Sequence, residues 1–224
     1  MRSLPRLQRW LQRVYEIEVE YDVMDFLITD RKLVRALQGE DIRPDCPEKL
    51  LLCESSEEMA MSLYLAPEVL QGLSGRSTAG GSQRTEAFCQ AVEGVSHFLY
   101  LAWRAGFERE LTQFELELQA EIDKFIGLVA LNQDADCSRG TDLCSWLFDN
   151  VSFESGLDNK DRERYEVANF YAGHYCRQLN RRYLTAEDGV GLTRELRRFY
   201  RQGPARQIGH DSARDELIGG SETC

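Results

Sequence analysis

Glu93 and His97 stand four residues apart in a segment of helical periodicity, and side chains one turn apart on a helix can share a hydrogen bond or hold one metal ion. On a helical wheel the pair lies opposite the stripe formed by Phe88, Val95 and Leu99, in line with Arg104. The plainest expectation is therefore a polar surface pair. A second acidic group lies in ELELQAEIDK, residues 115 to 124, where four acids crowd into ten positions. Glu117 and Glu121 share one edge of that helix beside its buried stripe, and like charges one turn apart repel. Lys124 is the nearest offset for that repulsion, an arginine from the C-terminal helices the next, and a bound cation the third. In the cation reading a histidine from a facing helix joins Glu117 and Glu121. His174 is the expected one, because it falls on a face defined by Val167, Phe170 and Tyr171 and a buried imidazole needs partners. The metal candidates are thus Glu117, Glu121 and His174, with Glu93 and His97 beside them, although the Glu-x-x-His spacing of carboxylate-bridged di-iron bundles is missing.

Arginines make the other chemically distinct feature. Arg177, Arg181, Arg182, Arg194, Arg197, Arg198 and Arg201 cluster near the C-terminus, while the whole chain has four lysines. Arg194, Arg197, Arg198 and Arg201 follow helical spacing and form a cationic ridge whose forks suit phosphates and carboxylates alike. Carboxylates of the same protein are the favoured partners. A long polyanion such as nucleic acid is disfavoured by the formal charge of −11, and by the −17 carried between residues 16 and 159.

Established catalytic patterns are missing. There is no Gly-x-Ser-x-Gly elbow, no His-Glu-x-x-His helix and no dinucleotide-binding glycine fingerprint. The glycine-rich tract of residues 72 to 84 lacks the lysine of a phosphate-cradling loop, and reads as a flexible loop. Seven cysteines, at 46, 53, 89, 137, 144, 176 and 224, form no Cys-x-x-Cys pair or zinc cluster. His174 and Cys176 lie two apart on different helix faces, which leaves the thiols as packing residues. That usage points to a reducing cytoplasm, and no run of 18 apolar residues points to a membrane span. No cofactor is called for except, in one reading, a divalent metal.

The elements that must position these residues follow from periodicity. Leu4, Leu7, Leu11 and Val14 make residues 4 to 14 an amphipathic helix, basic on its other face through Arg2, Arg6, Arg9 and Arg13, expected to dock on the protein's own body. Ile17, Val19, Tyr21 and Val23 alternate with Glu16, Glu18, Glu20 and Asp22, the pattern of a half-buried strand. A short helix over 30 to 38 ends at Gly39, Lys49 to Glu54 is a second strand candidate, and the alternation of Met59, Met61, Leu63 and Leu65 with Glu58, Ala60, Ser62 and Tyr64 gives a third. From residue 85 helices dominate. One spans about 85 to 105, and another is opened by a Thr112/Glu115 capping box, the two forming an antiparallel hairpin. Others span about 141 to 150, anchored by Leu143, Trp146 and Leu147, about 159 to 183, and about 191 to 201.

These elements predict an α+β fold: a small N-terminal antiparallel sheet packed with a mainly helical C-terminal part. Residues 1 to 202 are expected to form one domain and 203 to 224 a disordered tail. The charge layout favours a non-enzymatic binding or regulatory protein that recognises a protein partner. A metal-dependent hydrolase with a Glu/His site between helices is the first alternative, and Arg-mediated nucleic-acid binding the second.

Overall fold

In a computed structural model the described residues are 3–38, 46–54, 59–75, 81–105, 111–132, 140–149 and 159–203. Among them the architecture is α+β, with helices outnumbering a small three-stranded sheet on the N-terminal side. The tail expected beyond residue 203 and Gly39 lie outside the described residues.

The helix α4 (Gly81–Arg104) is the centre of the packing, because its middle is buried on nearly every face, largely by apolar residues. Phe88, Val92, Val95, Phe98, Leu99 and Tyr100 are all buried. Around it stand α1 (Leu4–Tyr15), α3 (Pro67–Ser74) and α5 (Gln113–Asn132). The expected hairpin of α4 and α5 is present. It opens on a capping box: Thr112 N–H donates to Glu115 Oε2 (3.1 Å), and Glu115 N–H donates to Thr112 Oγ1 (3.2 Å). The remaining helices are α2 (Arg31–Gln38), α6 (Gly140–Phe148), α7 (Asn159–Leu179) and α8 (Gly189–Gln202). A π-helical turn, Asn180–Leu184, continues α7. The loop expected over 72 to 84 is shorter than its composition implied, since residues 72–74 end α3 and 81–84 begin α4. Pro67 at the first helical turn and Gly75 at φ +71° frame α3, a helix that periodicity alone did not reveal.

Strands β2 (Glu48–Glu54) and β3 (Met59–Leu65) pair antiparallel in register Leu50↔Leu63, the hairpin their spacing implies. The third strand differs from expectation. Residues 17–22 belong to no ladder and bend at Tyr21, a 3-10 turn covers Val23–Phe26, and β1 is the dipeptide Leu27–Ile28, parallel to β3. The sheet is therefore mixed, in the order β1-β3-β2, rather than wholly antiparallel. Side chains of α1 stand in for the missing partner strand. Gln8 donates to Tyr21 O (2.7 Å) and accepts from Val23 N–H (2.9 Å), and Gln12 donates to Val19 O (3.3 Å). Buried polar backbone must be paired, and two glutamines achieve this here.

Leu4, Leu7, Leu11 and Tyr15 bury α1 against α4 and α8, so the first helix does dock on the protein's own body. No helix among the described residues is long and apolar enough to cross a membrane.

Candidate metal centre between α4, α5 and β2

Gly94 decides which side chains meet. A Cβ at that position would lie 3.0 Å from Glu48 Cγ, 3.0 Å from Leu63 Cδ1 and 3.2 Å from Leu65 Cδ2. Its hydrogen lets the β2–β3 hairpin close onto α4 one turn before His97, and Glu48 of β2 is carried to that imidazole. Across the helical hairpin, α5 brings Glu117, Glu121 and Lys124 to the same place. His97 is thus not the surface residue that the helical wheel suggested. Its exposure is 7%, because the face opposite Phe88 and Leu99 is covered by the sheet. Arg104, further along that face, is buried too, donating to Tyr100 Oη (3.0 Å) and Tyr200 O (3.3 Å).

His97 Nδ1 lies 3.4 Å from Glu48 Oε1, and Nε2 lies 3.6 Å from Glu117 Oε2 with no hydrogen-bond partner. Nδ1 thus faces Glu48 and Nε2 faces Glu117, and an ion at Nε2 would displace the proton that a charged imidazole carries there. One ligand atom from each of Glu93, His97 and Glu117 lies within 4.8 Å of the other two. Around a first-row ion with bonds near 2.1 Å, ligand atoms stand roughly 3–4 Å apart, so only a small inward movement is needed. Imidazole backed by a carboxylate is also the usual way of orienting a metal-bound histidine.

Lys124 completes the cluster, with Nζ 2.7 Å from Glu121 Oε1 and 3.2 Å from Glu93 Oε2. The predicted offset for Glu121 is therefore present, and no arginine is needed for it. Burial would lower the Lys124 ammonium, but Glu121 and Glu93 hold its pKa well above the ordinary value. Burial also opposes charge on His97, yet its contacts with Glu117 and Glu48 outweigh this and raise it. Desolvation raises both Glu48 and Glu121. Glu93 goes the other way: burial pushes up, but Lys124 and then His97 pull it below the usual carboxylate range. The Glu48 and Glu121 directions report the cost of burying charge, while those of Lys124, His97 and Glu93 report the pairing of cations with carboxylates.

Immediately beside the cluster, Asp123 is fully buried. Its carboxylate takes a hydrogen bond from Ser96 Oγ (2.6 Å), one from Gln119 Nε2 (3.1 Å) and a short one from the Tyr15 hydroxyl. Burial raises Asp123 to about 6 despite these donors. Tyr15 stacks on Tyr200 with ring centroids 4.1 Å apart, which ties α1 and α8 to this network. Sequence patterning gave Asp123 and Glu48 no role. An acid directly before Lys124 on the buried side of α5 is the signal for the first, whereas Glu48 depends on a long-range contact no local pattern carries.

His174 does not join the site. It is exposed on α7 and its Nε2 meets Gln178 Nε2 at 2.8 Å, within its own helix. The expected apolar face was phased wrongly: Phe170 is 69% exposed and Val167 is also exposed, while Ala168, Ala172, Tyr175, Cys176 and Leu179 are buried. Ala168 and Ala172 let α7 approach its neighbours closely, and Tyr175 and Leu179 fill the rest of the buried stripe. Similarly, Trp146 of α6 is 47% exposed, while Leu147 and Cys144 anchor that helix.

The arginine ridge lines a groove of about 640 Å³ along α8, with Glu16 on its wall. Arg197 donates to Val14 O (3.0 Å), Arg13 O (3.3 Å) and Glu16 Oε2 (3.2 Å). Arg201 reaches Glu16 O (3.1 Å), and Arg198 pairs with Glu195 at 2.6 Å. Two of the four guanidiniums thus bind the carbonyls that end α1. Arg194 lines the groove beside Val190.

Comparison with protein-family models, curated proteins and solved structures gives no match.

Proposed function

We propose that this protein binds a divalent transition-metal ion between α4 and α5, with Glu93, His97 and Glu117 as ligands and Glu48 orienting the imidazole. The observation that carries this reading is the buried His97 Nε2, which lies 3.6 Å from Glu117 Oε2 without a hydrogen bond, in a group where Glu93, His97 and Glu117 each offer a ligand atom within 4.8 Å of the others. One imidazole and two carboxylates form a mixed nitrogen and oxygen set that suits manganese, iron or zinc rather than a thiolate-seeking ion. An ion held there would fasten the β2–β3 hairpin to α4 through Glu48 and His97, and α4 to α5 through Glu93 and Glu117. When bound it would supply Lewis-acid chemistry and a lowered pKa for coordinated water. The side chains of the cluster are largely covered, and none of them lines the groove along α8. Such a covered shell favours a metal that controls conformation over one that meets a bulky hydrolysis substrate. Metal occupancy would then set the arrangement of helices that a partner recognises.

Recognition of a protein partner through charged surfaces is the second reading, favoured by Arg194 and the exposed Val190 in the α8 groove. A reducing cytoplasm fits the buried cysteines Cys89, Cys144 and Cys176, which are free thiols. Burial pushes the Cys89 thiol up to about 12, which suits a packing residue.

The test is calorimetric titration of metal-stripped protein with Zn²⁺ and Mn²⁺. Saturable binding is expected, weakened by about 10- to 100-fold in Glu48→Gln, as for outer partners of metal-bound histidines, and weakened further in His97→Gln, where the remaining carboxylates hold the ion only at high concentration. Metal held at a hundred times its Kd should add about 2.7 kcal/mol of stability. The absence of saturable binding, or equal affinity in wild type and His97→Gln, overturns the reading.

A further inference from the structure

Lys124 stands within the carboxylate cluster in a position that a second metal ion would take. Its ammonium is held by Glu121 at 2.7 Å and Glu93 at 3.2 Å, and Glu93 is also one of the three groups that converge with His97. The cluster therefore has two halves with one shared carboxylate: Glu93, His97 and Glu117 on one side, Glu93, Lys124 and Glu121 on the other. A carboxylate shared between two cations is the arrangement that bridges metal pairs in helical carboxylate sites, here with an amine from the chain as one of the cations. We propose that the site is a paired-cation centre in which the Lys124 ammonium replaces a second divalent ion, so that the chain takes one ion only because Lys124 fills the other position. This rests on the metal-site reading, and extends it to stoichiometry and to the role of one side chain.

The geometry explains why a lysine suffices. It arises three residues after Glu121 on α5 and crosses to α4, with only 13% of its side chain exposed. Its covered position keeps water from competing for Glu93 and Glu121, and its single charge offsets two carboxylates only in part. With the ammonium gone, the oxygens of Glu93 and Glu121 face a vacated space, and Glu117 lies one turn before Glu121 on the same helix. Carboxylate oxygens without an imidazole on that side suit Mn²⁺.

Binding of Mn²⁺ is followed by electron paramagnetic resonance in wild type, Lys124→Ala and the double variant Lys124→Ala with Glu121→Gln, after circular dichroism has established that each is folded. Wild type is expected to bind one Mn²⁺ with an uncoupled spectrum, Lys124→Ala two with an exchange-coupled spectrum, and the double variant one. Lys124→Gln, neutral and similar in length, replaces Lys124→Ala if the latter does not fold, with the same expected gain. A wild-type measurement needs no variant. Because the chain has only four lysines, the Lys124 side-chain ¹⁵N resonance can be followed directly, and it should shift when Zn²⁺ saturates the first position and draws on Glu93. One Mn²⁺ in both wild type and the neutral variant, two in wild type, or an unmoved Lys124 resonance at Zn²⁺ saturation overturns the proposal while leaving the single-metal reading intact. Failure of wild type to bind any metal removes both.

Discussion

Replacing Asp123 by asparagine probes the electrostatics of the helical hairpin without touching a proposed ligand. Burial raises this carboxyl from 3.8 to about 6, against the opposing effect of its hydrogen bonds from Ser96, Tyr15 and Gln119. The folded state thus holds the proton more tightly than the unfolded chain does. The stabilising contribution of the neutral acid is fully present below about pH 4 and is lost as pH rises through 6. A shift of about two units at roughly 1.4 kcal/mol each corresponds to about 2–3 kcal/mol between pH 4 and pH 7. Asparagine cannot ionise, so it lacks this dependence, although its amide also disturbs one of the three bonds. Subtracting the unfolding free energy of Asp123→Asn from that of wild type, measured by urea denaturation at pH 4, 5, 6 and 7, removes contributions common to both. The difference should fall by about 2–3 kcal/mol over that range in the disfavour of wild type. A level difference, or one that rises with pH, would mean that Asp123 is ionised in the fold and that burial does not dominate its environment.

Three further substitutions address the positioning of the site. Gly94→Val puts atoms where Glu48, Leu63 and Leu65 now lie; it should cost about 1–3 kcal/mol in chemical denaturation and weaken Zn²⁺ binding by displacing Glu48. Arg197→Ala removes three hydrogen bonds to the end of α1 and should lower stability by about 1–2 kcal/mol, with 1-M salt failing to abolish the difference because two of the acceptors are backbone carbonyls. His174→Ala should change stability by less than about 0.5 kcal/mol and leave metal affinity unaltered, since the imidazole is exposed and bonds only within its helix. A large loss in either quantity would return His174 to the list of ligands.

Much of the framework is legible in the chain because its signals are local. The stripe of Leu4, Leu7 and Leu11, the Thr112/Glu115 capping box and the alternation from Met59 to Leu65 each specify an element without reference to distant residues. The alternating run from Ile17 misleads for an instructive reason. Its alternation reflects real one-sided burial of Ile17 and Val23, but backbone partners come from Gln8 and Gln12 rather than from a strand. Helical wheels fail in two different ways. For α4 the wheel assigns His97 to solvent because it cannot know that a hairpin closes over Gly94. For α7 it weights Phe170 and Val167 by size, whereas close packing selects Ala168 and Ala172. The acidic pair Glu117 and Glu121 and the offset by Lys124 are legible from spacing on one helix. The histidine that faces them is not, because choosing His97 over His174 requires the arrangement of three separate elements.

X-ray absorption at the zinc edge of the loaded protein examines the ligand set itself. A low-sulfur shell of nitrogen and oxygen is predicted, with imidazole scattering that persists in His174→Gln and vanishes in His97→Gln. Imidazole scattering that survives in His97→Gln, or a shell dominated by sulfur, would contradict the assignment of the ion to Glu93, His97 and Glu117.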